Sequence, residues 1–218
     1  MNIRLIPVID ITYYDQNIVS PTNGPYWEHT DEWSLFNKKC LKAAGFEGEM
    51  NPYSKGCSLY ELAKITNRNL TKLVFDEIKD IDKDGNDRDC VGSLSGGYIL
   101  NVDDEDILYP QCCGSLNDIK SWEELIGDED LSFWIGHPSP SIIKNENSIV
   151  FDLEHSNVNE NYVPKPNKFI VEVNEDSLKK AIDEARLQLE IFSVQLLAIN
   201  ATNQWNISDI DKLLIYGE

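Results

Sequence analysis

The chain predicts an α+β fold, with a mostly antiparallel or mixed sheet and a long C-terminal helix packed on it. Three observations carry the prediction. Short runs rich in Ile, Val, Tyr and Phe, at 3–14, 98–102, 148–153 and 168–173, have strand composition and turn-rich flanks. One long segment places Leu178, Ile182, Ala185, Leu189, Phe192, Leu196 and Ile199 at alternating steps of four and three, the stripe of an amphipathic helix. Strands and helices mingle without the regular alternation of a parallel βαβ fold. The chain has 218 residues, 41% of them hydrophobic, and is read as a single domain over 1–218.

Each element has its local reason. Residues 3–14 form the first strand, and a turn-rich stretch follows through Pro21, Gly24 and Pro25. Thr30 stands as N-cap before Asp31 and Glu32; Trp33, Phe36, Cys40 and Ala44 follow at helical spacing, and Gly45 stops the helix. A second helix is expected from Ser58, where Ser58 and Glu61 match a capping box. Residues 70–78 fit helix or strand, and 80–97 reads as a polar, Gly-rich loop. The strand at 98–102 pairs with 107–113, with Pro110 marking an edge or strand end. Asn117 caps a short helix carrying Trp122 and Leu125, stopped by Gly127. Strands are expected at 132–137, 148–153 and 168–173, with Pro164 and Pro166 stiffening the link between the last two. Asn174 or Ser177 caps the long helix, and 208–215 makes a short final one.

The charge balance excludes some functions. There are 38 acids against 19 bases, a net charge of −19, so nucleic acid and anionic membranes would be repelled. No run approaches the roughly 20 apolar residues that cross a bilayer. The first ten residues hold one base, an apolar run broken by Pro7, and Asp10, which is no export signal. Five irregularly spaced cysteines, with no Cys-x-x-Cys pair, read as reduced thiols. The expected location is the cytoplasm.

The acids are unevenly placed. Between Asp76 and Asp130 stand 17 Asp and Glu against four bases, a net −13, leaving −6 for the rest of the chain. Asp103, Asp104, Glu105 and Asp106 fall at the tip of an expected hairpin, and Asp128, Glu129 and Asp130 lie downstream. Neighbouring carboxylates repel by about 1 kcal/mol at 4 Å even in water. A solvated loop that keeps strand edges apart accounts for such a cluster, and so does a docking surface for Lys and Arg. These seven acids are the candidate partner-binding residues.

Other constellations are thinner. Asp82, Asp84 and Asn86 match the first ligand positions of a calcium loop, but Asp87 stands where Gly is needed and Ser93 where Glu is needed. No metal or cofactor is therefore expected. Cys112 and Cys113 are adjacent, with no base close in sequence. His137 and His155, with Asp152 and Glu154, would make a minimal acid–base or metal site if their strands pair. No phosphate loop, dinucleotide fingerprint or nucleophile elbow is present.

The segment Tyr109-Pro-Gln-Cys-Cys-Gly-Ser-Leu-Asn-Asp118, with Trp122 four residues on, resembles a short signature of uncharacterised bacterial proteins, some of them similar to immunity partners of polymorphic toxins. It spans about fifteen residues. The resemblance implies a bacterial protein that neutralises a toxin by binding it, with no catalytic residues to carry over. The sequence reading is thus a non-catalytic acidic binding protein for a basic protein partner. Its alternatives are a small hydrolase using His137, His155 and nearby carboxylates or Cys113, and an oligomeric structural protein built on the 178–199 helix.

Overall fold

The computed structural model describes residues 1–81, 87–127 and 133–218. In chain order the elements are β1 (Ile3–Asp10), α1 (Thr30–Ala43), β2 (Leu59–Glu61), α2 (Asn67–Ile78), β3 (Gly96–Val102), β4 (Glu105–Leu108), α3 (Ile119–Glu124), β5 (Pro140–Lys144), β6 (Ser148–Ser156), β7 (Ile170–Asn174), α4 (Glu175–Asn203) and α5 (Ile210–Tyr216), with short 3₁₀ turns between some of them. The class is α+β, and the long helix α4 packs on strands. The chain divides into two compact units, Met1–Val8 with Ser93–Ile191, and Ile9–Gly92 with Phe192–Glu218.

In the first unit β1, β3 and β4 are neighbours in that order, and β3 runs antiparallel to β4. All seven residues of β3 are buried, as a central strand requires. A second sheet has the order β5-β6-β7, antiparallel throughout. Along β6 the two-residue period sends Ile149, Phe151 and Leu153 inward, opposite Val171 and Val173 of β7. Trp122 of α3 is fully buried and packs edge-on against Phe133, with ring centroids 4.8 Å apart, and 5.8 Å from Phe151. The first half of α4 buries Leu178, Ile182, Ala185 and Leu189. Asn174 is its cap, since the Asn174 carboxamide oxygen accepts the Ser177 N–H at 3.0 Å.

In the second unit the Ile11 N–H donates to the Ser58 carbonyl at 2.9 Å, just ahead of β2. α1 buries Phe36, Cys40 and Leu41, and α2 buries Leu70, Leu73, Val74 and Ile78. The rest of α4 contributes Phe192, Leu196 and Ile199, and α5 adds Ile210, Leu213, Leu214 and Ile215. The whole four-three stripe of α4 is therefore inside, while Leu187, Ile191, Val194 and Leu197 of the same helix are exposed.

Several local expectations are corrected. Ser58 precedes strand β2, Leu59–Glu61, which a 3₁₀ turn follows, and the helix begins at Asn67 behind Thr66, whose hydroxyl accepts the Asn69 N–H. Leu59 and Tyr60 are adjacent and both buried, which suits a strand held between packed layers better than one face of a helix. The ambiguous residues 70–78 are helical. β1 stops at Asp10, short of the expected residue 14. α1 starts with Thr30 inside the helix and His29 as its N-cap. Residues 133–137 form no strand beyond an isolated bridge at His137, because Gly136 takes φ +99, a left-handed turn in the run; the strand sits at 140–144 instead.

Candidate functional site

The acidic hairpin is built by β3 and β4. Val102 faces Glu105, leaving Asp103 and Asp104 as a two-residue connection, and both take left-handed backbone, with φ 49 and φ 66. Two positive φ values in succession make the type I′ turn that matches the twist of an antiparallel pair. Asp is one of the few residues that tolerate this region. The turn is anchored from outside the hairpin. The Asp103 N–H donates to the Asn2 carbonyl at 2.8 Å, and the Asn2 N–H donates to Asp103 Oδ1 at 2.7 Å.

Each of the four carboxylates has its own setting. Asp104 is the outermost, with its side chain 85% exposed, and meets Arg4 at 3.2 Å. Glu105 meets Lys168 at 2.5 Å. Asp106 accepts from Asn101 Nδ2 at 2.6 Å and from the Tyr109 hydroxyl at 3.0 Å. Arg4 also donates to Asn101 Oδ1 at 3.0 Å. Two of the four charges thus face cations of the same unit, through exposed pairs of the kind that contribute about 0–1 kcal/mol each. Arg4, Lys168 and Asn2 carry no sequence signal for this role, because their partners lie 100, 63 and 101 residues away along the chain. Asp128, Glu129 and Asp130 lie outside the described residues, as do residues 82–86 of the calcium-like loop.

The Tyr109–Trp122 segment forms a tight backbone crossing beside the hairpin. Gly114 has room for no side chain: a Cβ there would stand 2.8 Å from the Gly96 carbonyl oxygen and 3.0 Å from that of Ile135. Gln111 clamps a distant loop, accepting the Val163 N–H at 2.9 Å and donating to the carbonyls of Tyr109 (2.9 Å) and Val163 (3.1 Å). The Ser115 N–H donates to Asp118 Oδ2 at 2.9 Å, so the helical segment begins at Ser115, ahead of the Asn117 expected as cap. Burial pushes the Asp118 carboxyl up to about 6. Asp118 lines an open cleft of about 960 Å³ together with Cys113, Asn117, Glu124 and Trp134.

The residues considered for hydrolysis find separate partners. His155 Nδ1 lies 2.8 Å from Asp152 Oδ2, with the imidazole side chain 75% exposed, and that carboxylate raises the His155 pKa. The His137 ring stands edge-on to Trp134 at 4.7 Å. Cys113 Sγ is 3.6 Å from Cys112 Sγ, and this contact raises the Cys112 pKa. β5 and β6 do pair, but among the described residues no hydrogen bond joins His137, His155 and Cys113. Among the described residues no group of three or more His, Cys, Asp or Glu is placed to hold a metal, and no helix is long and apolar enough to cross a membrane.

No family model, curated protein or solved structure matches the chain.

Proposed function

We propose that the protein is a non-catalytic binding protein of the immunity or inhibitor type, acting in the cytoplasm on a basic protein partner that it engages through the β3–β4 hairpin. The observation that supports this most is the display of carboxylates on one anchored turn, in a chain of net charge −19. A rigid turn presents charge without the ordering cost of a loose loop. The Arg4 and Lys168 pairs are exposed. They exchange for a partner's Arg or Lys at little cost. All five cysteines are free thiols, which suits a reducing compartment.

The test removes charge while keeping the turn. Lys at 103 or 104 would be a poor substitute, since both positions need left-handed backbone and Asp103 holds Asn2. Asn tolerates that conformation and still accepts a hydrogen bond. The variant Asp103→Asn, Asp104→Asn, Glu105→Gln is compared with wild type for association with the partner captured from the native lysate. The on-rate should fall about tenfold at low salt, and its dependence on ionic strength should flatten. An unchanged on-rate would remove the hairpin as the docking site. Capture only of partners without a basic surface would remove the proposal itself.

A further inference from the structure

The second unit holds a cleft of about 740 Å³, within the range of small-ligand sites. One wall is α1, one is the segment 46–52, and the floor is made by Cys57 and Tyr60. Leu41, Phe46, Cys57 and Tyr60 are all buried and give it an apolar base. The polar groups at the mouth are unequally committed. Lys38 and Lys42 are four residues apart, one turn of α1, and so project from one side of the helix. Neither makes an ion pair with any described residue. On the opposite wall Glu47 is held by Arg68, and Glu49 is the one carboxylate of the lining left without a cation among the described residues.

Deeper in, Tyr60 is only 3% exposed. Burial pushes its pKa up to about 12, so it remains a neutral donor. Asn37 is already spent on the Gly56 and Cys57 carbonyls, at 3.0 and 3.3 Å. Two unpaired cations beside an apolar floor are unexpected in a chain with twice as many acids as bases. We infer that this cleft binds a small organic anion, an acyl or aryl carboxylate, whose apolar body rests on Leu41, Phe46 and Tyr60 while its carboxylate meets Lys38 and Lys42. The apolar body accounts for the floor, and the lysines account for the sign of the charge. This site is separate from the hairpin and does not depend on its role.

Met50 lines the cleft, and the only other methionine in the chain is Met1. Full-length protein labelled with ¹³C at the methionine methyls therefore shows one signal inside the site and one outside it. Octanoate titrated to several millimolar should move the Met50 signal saturably and leave Met1 in place. Octanol should bind more weakly, and octylammonium should leave Met50 unmoved even if it collects elsewhere on so acidic a surface. The double variant Lys38→Gln, Lys42→Gln should weaken octanoate binding about tenfold. Its circular dichroism should be unaltered, because both side chains are exposed. The inference is overturned by a Met50 signal that ignores octanoate, by octylammonium moving it equally, or by a lysine variant that binds octanoate as tightly as wild type.

Discussion

Replacing Asp118 by Asn should stabilise the protein at neutral pH and leave it unchanged in acid. Asp118 is 8% exposed and accepts the Ser115 N–H at 2.9 Å. Burial lifts its carboxyl from an ordinary 3.8 to about 6, against the smaller opposing effect of that hydrogen bond. A folded pKa above the unfolded one means that the folded state holds the proton more tightly. Stability from this group is therefore fully present below pH 3.8 and is lost as pH rises through about 6. Two pKa units correspond to about 3 kcal/mol as an upper bound. Water in the open cleft screens the carboxylate, so about 1–2 kcal/mol is the working figure. Asn keeps the shape, keeps an oxygen for the Ser115 N–H and carries no charge to desolvate. Urea unfolding of both proteins, followed by tryptophan fluorescence from pH 3.5 to 8, isolates the effect. The other acids cancel in the difference between the two curves. The Asn variant should be about 1–2 kcal/mol more stable at pH 7.5, with the gap closing towards pH 3.8. A gap that stays constant with pH, or a variant that is less stable at pH 7.5, would refute the claim that burial penalises this charge.

Two further substitutions probe the crossing around the same segment. Trp122→Ala should cost about 3–5 kcal/mol by opening the Trp122–Phe133–Phe151 cluster. Trp122→Phe should cost clearly less, since the indole N–H has no hydrogen-bond partner to lose; equal losses in chemical denaturation would discount the ring packing. Gln111→Leu should cost about 2–3 kcal/mol by stranding the Val163 N–H and two carbonyls. Hydrogen exchange at Val163 should then accelerate more than the global loss explains, and an unchanged local rate would count against the clamp.

Elements fixed by their own periodicity were legible in the sequence. α4 shows its stripe over three heptads, and strand-like residues on both sides mark the acidic run as a hairpin tip, while β6 and β7 show through their β-branched and aromatic composition. Where a local signal competed with a distant one, the distant one prevailed. Ser58 and Glu61 match a helix start, yet the Ile11 N–H donates to the Ser58 carbonyl at 2.9 Å and holds the segment extended against a distant part of the chain. The strand expected at 132–137 lies a few residues further on as β5, where Pro140 occupies the first strand position and a missing N–H costs little. The cations opposite the hairpin were illegible for a different reason. Arg4 reaches Asp104 only because β1 lies beside β3, a register that one sequence does not specify. The cleft between α1 and 46–52 likewise has no signature, since its lining is brought together from α1, a loop and β2.

The roles within 109–122 bear on where specificity can reside. Gln111 clamps a loop, Gly114 admits a backbone crossing, Asp118 starts a helical turn and Trp122 fills the core. Each acts inward, so a segment of this kind transmits a scaffold and says nothing of a partner. The hairpin behaves differently. Its turn requires left-handed backbone at 103 and 104, and Asn-Gly meets that requirement better than two carboxylates do. Asn at 103 would accept the Asn2 N–H equally well. The fold therefore demands the conformation of these residues and leaves their charge unexplained. Asp104 makes the separation plainest, because its carboxylate is 85% exposed and its one described cation, Arg4, is itself half-exposed. A contact so weakly held adds little to stability, whereas the same charge in open solvent acts on an approaching cationic surface out to about a Debye length, roughly 8–10 Å. The surplus of charge over what the turn needs is the part of this hairpin that packing does not account for, and it is the part on which a basic partner would act.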